Sequence, residues 1–193
     1  MIIHKKTFWT ICVLWGLIEW MNVVVLRHHL PIGLNGALLA GIAAGILSAA
    51  AETIIHRGIL LIAGLIAVLI KLTGIILSGY DLTYNLTANP TFAIFSQIVA
   101  FIIIRRVLDP RLNDHVFGNM LLGGFYALLA VNLFPLVKFV TGNPACTIES
   151  SDYPAALYYL PVTVLLSALL YPAGRYIVIS FLGERKMHPV NDQ

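Results

Sequence analysis

Two oppositely charged residues lie deep inside apolar stretches of this chain. Glu19 sits in TFWTICVLWGLIEWMNVVVL and Lys71 in GILLIAGLIAVLIKLTGIILSG. Lys71 is eight residues from Gly79 and Glu19 is eight from Arg27. At about 1.5 Å of rise per residue, each charge is roughly 12 Å inside its helix. A charge at such a depth costs about 2.5–3.5 kcal/mol on membrane-insertion scales, so each needs a partner or a wet cavity. Three uncharged polar residues fall at similar depth. Asn22 is one helical turn from Glu19, Gln97 is seven residues from Pro90, and Asn132 is ten from Gly142. Residues three apart share a helix face. Together these groups suit the recognition of a small polar molecule, with Glu19 and Lys71 as opposite charges and Asn22, Gln97 and Asn132 as hydrogen-bonding groups. Trp15 and Trp20 would supply aromatic walls, which small-molecule pockets generally have. The same residues also admit a structural reading, in which Glu19 and Lys71 neutralise each other and the amides hold helices together.

These residues must be positioned by long helices. Gly58 to Gly79 is long enough to span a bilayer, for which about 20 apolar residues are needed. Five further apolar segments are read as helices of the same bundle: Thr7 to Leu26, Gly33 to Ile55, Pro90 to Ile104, Gly118 to Val140 and Ala155 to Leu182. Arg27-His28-His29 and Pro31 are expected to end the first. Pro90 suits the first turn of the fourth, and Pro135, Pro161 and Pro172 are expected to bend the last two. The expected fold is all-α, a polytopic membrane protein with a bundle of six transmembrane helices and one domain over 1–193. The N-terminal MIIHKKTFW resembles a signal n-region, but no A-x-A site follows it, so an uncleaved first helix is expected.

Composition points the same way. Of 193 residues, 59% are hydrophobic and 11% charged, with a mean hydropathy of +0.88. Soluble domains carry about 25% charged residues. Six helices would put Lys5, Lys6, Arg57, Arg105, Arg106, Arg111, Arg175, Arg185 and Lys186 on one side, and Arg27 and Lys138 on the other. The positive-inside rule then predicts a cell-membrane protein with both termini cytoplasmic. The net charge of +3 is accounted for by these helix ends and calls for no nucleic-acid partner.

Several chemistries find no support. Cys12 is in an apolar segment and Cys146 in a polar loop, so no disulfide between them is expected, and no zinc spacing is present. His28 and His29 fall at the opposite end of the bundle from His56, so they cannot share a metal or a haem iron. No cofactor is expected. There is no nucleophile elbow around Ser78 and no HExxH, so the chain does not read as an enzyme. Asn85-Leu86-Thr87 matches a glycosylation acceptor, a pattern that matters only in a secretory eukaryotic setting.

The second helix carries a different signal. Gly33, Ala37, Gly41, Gly45 and Ala49 recur every four residues, with Gly36, Ala40, Ala44 and Ser48 beside them. Small residues in such rows let another helix come close. Ala37, Gly41, Gly45 and Ala49 therefore either pack inside the bundle or dock a partner subunit. Glu52 lies just beyond, as a polar contact or a helix-end charge.

The six-helix layout, the small-residue run GALLAGIAAGILSAAAE and the polar residues in one half of the bundle resemble the substrate-binding S components of energy-coupling-factor (ECF) transporters. That family's docking motif, Ala-x-x-x-Ala, lies on its first helix, whereas here the small face is on the second. The resemblance implies a small polar micronutrient such as a vitamin held near the outer face. It also implies a transmembrane coupling subunit and ATPases as partners. Two other functions fit the layout: a non-catalytic assembly subunit of a larger membrane complex, and a channel or carrier for a small solute.

Overall fold

The protein is seen here as a computed structural model, which describes residues 2–83, 87–108, 112, 115–144 and 155–186. Cys146, Asn85 and Leu86 lie outside the described residues, as do Asp109, Arg111, Asp114, Glu149 and Asp152. Among the described residues six helices are long and apolar enough to span a membrane. We number them α1 (Lys5–His29), α2 (Ile32–Ala51), α3 (Arg57–Leu77), α4 (Ala88–Val107), α5 (Val116–Thr141) and α6 (Leu160–Lys186). They alternate in direction, so α1 and α6 begin and finish at the same end of the bundle, called here the near end. The segment before α1 is clipped there. Thr53 O, just past α2, accepts backbone N–H bonds from Ile3 at 2.9 Å and His4 at 3.1 Å.

The helix ends follow local chemistry, with three departures from the sequence expectation. Arg27-His28-His29 do not end α1 but form its last turn, where cationic side chains favour the helix dipole; Pro31 then stops it. Asn22–Leu26 within α1 is a π turn. Second, α2 stops at Ala51 rather than Ile55, since the Thr53 hydroxyl bonds back to Ala50 O at 2.7 Å and its carbonyl is taken by the N-terminal segment. Third, Pro161 is the second residue of α6, where a missing N–H costs little; only Pro172 is interior. Pro135 falls in a 3-10 turn, Phe134–Leu136, inside α5. At the far end α3 finishes in a Schellman motif, with Tyr80 N–H bonded to Ile75 O at 3.2 Å and Gly79 N–H to Ile76 O at 3.1 Å. Gly79 takes φ +70°, a conformation that favours glycine.

α2 is the central helix and touches each of the other five. Its most extensive partner is α6, which packs in turn on α5, and α5 on α4. α1 pairs chiefly with α3. The small residues of α2 are explained by this position. Ala43, Ala44, Leu47 and Ser48 are wholly buried, and Ala37 and Ala49 nearly so. Gly41 and Gly45 face the chain's own α6: a Cβ on Gly41 would lie 2.6 Å from Leu166 Cβ, and one on Gly45 2.9 Å from Leu170 O. Gly174 of α6 in turn lies against the backbone of Gly45. The Ser48 hydroxyl donates to Tyr171 O at 2.7 Å and ties the two helices across this seam. The outer surface of the bundle is apolar, with Leu69, Leu165 and Ile177 all exposed.

The seam makes a test. Gly174→Ala pushes a methyl into the Gly45 backbone and is expected to lower stability by about 1–3 kcal/mol, the usual cost of overpacking. Gly36→Ala meets nothing within 4 Å and is expected to hold or gain up to about 1 kcal/mol from helix propensity. Thermal melts of the two variants in detergent check the contrast.

Candidate functional site

Glu19 and Lys71 meet at the α1–α3 interface. Lys71 Nζ donates to Glu19 Oε2 at 2.5 Å, and the two side chains are 6% and 4% exposed for Lys71 and Glu19 respectively. Two glycines bring the helices close enough for this. Ile70 of α3 packs onto Gly16 of α1, and Trp20 of α1 packs onto Gly74 of α3. Each glycine is about one turn from the charge on its own helix, so the pair is bracketed above and below by a large side chain seated on a bare backbone. Neither glycine was expected from the sequence; their spacing of three from Glu19 and from Lys71 was the available signal. Trp15 is 1% exposed and belongs to the main core rather than to a cavity wall. Asn22 is buried one turn beyond Glu19, and its Oδ1 has no hydrogen-bond partner. Further along the same interface His28 Nε2 is hydrogen-bonded to the Tyr80 hydroxyl.

Gln97 lies elsewhere. It is 8% exposed and lines a cavity of about 90 Å³ with Gly36 and Ala40 of α2, Ala93 and Ser96 of α4, Ala130, Val131 and Phe134 of α5, and Thr163 of α6. Its Oε1 has no hydrogen-bond partner. The other two polar side chains in this wall are satisfied by their own helices: Ser96 Oγ donates to Ala93 O at 2.9 Å, and Thr163 Oγ1 to Tyr159 O at 3.0 Å. None of Glu19, Asn22, Lys71 and Asn132 contributes to the wall. Asn132 is exposed on the outside of α5, with its Nδ2 donating to Leu128 O at 2.7 Å. The structure thus brings Glu19, Lys71 and Asn22 to one interface, places Gln97 in a separate cavity, and turns Asn132 outward.

A third polar group was anticipated in the sequence only at Glu52, as one of two readings, and not at its arginine partners. At the near end Glu52 Oε1 accepts from Arg105 Nη2 at 3.3 Å and lies 3.1 Å from Arg175 Nε. Arg175 Nη1 donates to Asn119 Oδ1 at 2.8 Å, and Arg105 Nη1 to the Tyr171 hydroxyl at 3.3 Å. The Arg105 guanidinium also stands 6.0 Å from the centre of the Phe101 ring. This network joins the end of α2 to α4, α5 and α6. In the sequence both arginines were counted only as charges flanking helices. The signal available was depth: Arg175 is seven residues before Leu182, roughly 10 Å inside the apolar stretch.

Among the described residues no three His, Cys, Asp or Glu side chains gather as a metal site. No protein-family model matches this chain, and neither does any curated protein or solved structure.

The geometry of the Glu19–Lys71 pair sets an expectation. Removing one partner of a buried ion pair leaves the other uncompensated, at about 3–5 kcal/mol, while replacing both with neutral groups is often tolerated. Lys71→Met and Glu19→Gln are each expected to destabilise strongly, and the double variant to recover most of the loss. A double-mutant cycle of melting temperatures measures this, and simple additivity of the two single losses would show that the charges are not coupled.

Proposed function

We propose that this chain is a multi-pass protein of the cell membrane, with both termini cytoplasmic, that binds a small uncharged solute as part of a transport system. Six apolar helices with an apolar outer surface support membrane residence, and the nine-to-two distribution of Lys and Arg supports the orientation. The near end is then the cytoplasmic end. One observation carries the binding reading: the buried, unpartnered Gln97 Oε1 in the wall of the cavity. A buried acceptor left without a donor costs about 1–3 kcal/mol. A solute that brings an N–H or O–H to Gln97 removes that cost. The rest of the wall is mostly apolar and carries no charge, so the fitting solute is small, uncharged and largely apolar apart from its donor. Solutes of this kind are less polar than the small polar micronutrient implied by the resemblance. Glu19 and Lys71 are satisfied by each other and in this reading hold α1 to α3. A coupling partner, such as the coupling subunit and ATPases of the resembled family, would supply the energy.

Two experiments test this reading. Gln97→Leu removes the orphaned acceptor, so stability is expected to hold or rise while a small molecule copurifying with the wild type is lost. A thermal melt reads the first and native mass spectrometry in mild detergent the second; the same molecule retained by Gln97→Leu would put the site elsewhere. For orientation, Cys146 is expected to react with an impermeant thiol reagent in intact cells. Labelling only after permeabilisation would invert the topology.

A further inference from the structure

We propose that the Gln97 cavity is the far-end opening of a path along the shared interior of α2, α4, α5 and α6, with Glu52, Arg105 and Arg175 as its near-end gate, so that the chain itself carries its solute. This rests on the reading of the cavity as a solute site and adds a route and a gate to it.

The same four helices build both features. On α2, a four-residue row leads from Gly36 and Ala40 in the cavity wall, through the buried Ala44 and Ser48, to Glu52 in the network. On α4 the row is Gln97 in the wall, Phe101 wholly buried, and Arg105 in the network. On α6 it is Thr163, Ser167, Tyr171 and Arg175. Rows at this spacing run along one side of a helix. Gln97 and Arg105 are eight residues apart, so roughly 12 Å of α4 separates cavity from network.

Between them lies an aromatic layer. Phe101, Tyr126 and Tyr171 are wholly buried; the Phe101 ring centre is 5.8 Å from that of Tyr171 and 6.3 Å from that of Tyr126. The Tyr126 hydroxyl donates to Ala40 O at 3.4 Å. Ser167 Oγ is buried within this row without a hydrogen-bond partner, a second acceptor or donor for a solute leaving Gln97. The path is therefore open at the cavity, closed by rings, and latched by charge at the near end.

The latch is reversible in form. Arg175 of α6 and Glu52 of α2 are 13% and 20% exposed at their side chains, so water can take over their charges when they part. Pro172, between Tyr171 and Arg175, lacks the N–H that would bond the carbonyl four residues back, and helices bend at such positions. Swinging the end of α6 about Pro172 would separate Arg175 from Glu52 and open the near end beneath the aromatic layer.

The test needs no solute. Ser96→Cys places a thiol in the cavity wall, in a chain carrying Cys12→Ala and Cys146→Ala. A small impermeant thiosulfonate is applied to the far face in intact cells and to the near face in inverted vesicles. Near-face labelling is expected to rise about tenfold in Glu52→Gln, a population shift ordinary for a protein with a minor open state. Asn119→Ala is the second variant; it frees Arg175 from Oδ1 while leaving all three charges in place. A rise in either folded variant supports the gate. No rise in whichever variant folds, or loss of fold in both, overturns it and makes the network a structural clasp. Failure of the cavity as a solute site is read separately, from the molecule that Gln97→Leu does or does not lose.

Discussion

Two helices can lie backbone against backbone only where neither puts a side chain between them. In this protein that condition is met along α2 and α6, and the arrangement of the other helices depends on it. Gly41, Gly45 and Gly174 remove the spacers, and Ser48 uses the proximity to donate to Tyr171 O. Burial of apolar surface discriminates poorly among packings when every face is apolar, so close packing and interhelical hydrogen bonds must decide. A thin central helix is the consequence. Because α2 is narrow, five other helices can reach it, and the row of small residues that looks like a docking face is turned toward α6.

The charges follow from the same closeness. Lys71 and Glu19 are long side chains that span a short gap, and the gap is short because Gly16 and Gly74 each accept a bulky residue from the facing helix. Glu52 works differently, with one carboxylate oxygen serving guanidiniums from two helices. Arginine suits that role, since its planar fork donates in several directions at once: Arg175 reaches both Glu52 and Asn119, and Arg105 both Glu52 and Tyr171. The first arrangement is a closed pair between two helices. The second is a shared network of four, lying nearer the end of the bundle and less fully buried at Glu52.

The helices were legible because apolar runs of this length have few alternatives. The Glu19–Lys71 pair was legible because two opposite charges at equal depth each need the other. Depth alone, however, says nothing about the direction a side chain takes around its helix. Gln97 and Asn132 stand at similar depth, yet one faces a cavity and the other faces out and bonds to its own helix. Separating them requires knowing which faces of α4 and α5 meet α2 and α6, and the weak amphipathicity of an all-apolar helix does not reveal that. The glycines at 16, 74 and 174 were hidden for a related reason. A single glycine in an apolar helix looks like composition until the large residue opposite it is known. Arg175 was hidden because the basic residues near the helix ends look alike in sequence until their depth is compared.

The bundle pairs its buried charges but leaves several buried uncharged polar atoms without partners. Along α1 and α3 the two charges bond to each other at 2.5 Å, and large side chains pack on either side of them. The pair joins two helices. Along α2, α4, α5 and α6 the polar atoms are not all spent: Gln97 Oε1 and Ser167 Oγ are buried without partners. Unsatisfied groups of this kind are costly in an apolar interior, so a fold that keeps them draws attention to the helices that carry them. Matching charges join α1 to α3, while buried hydrogen-bonding atoms without partners lie both on α1, at Asn22, and in the interior of the remaining four helices, at Gln97 and Ser167.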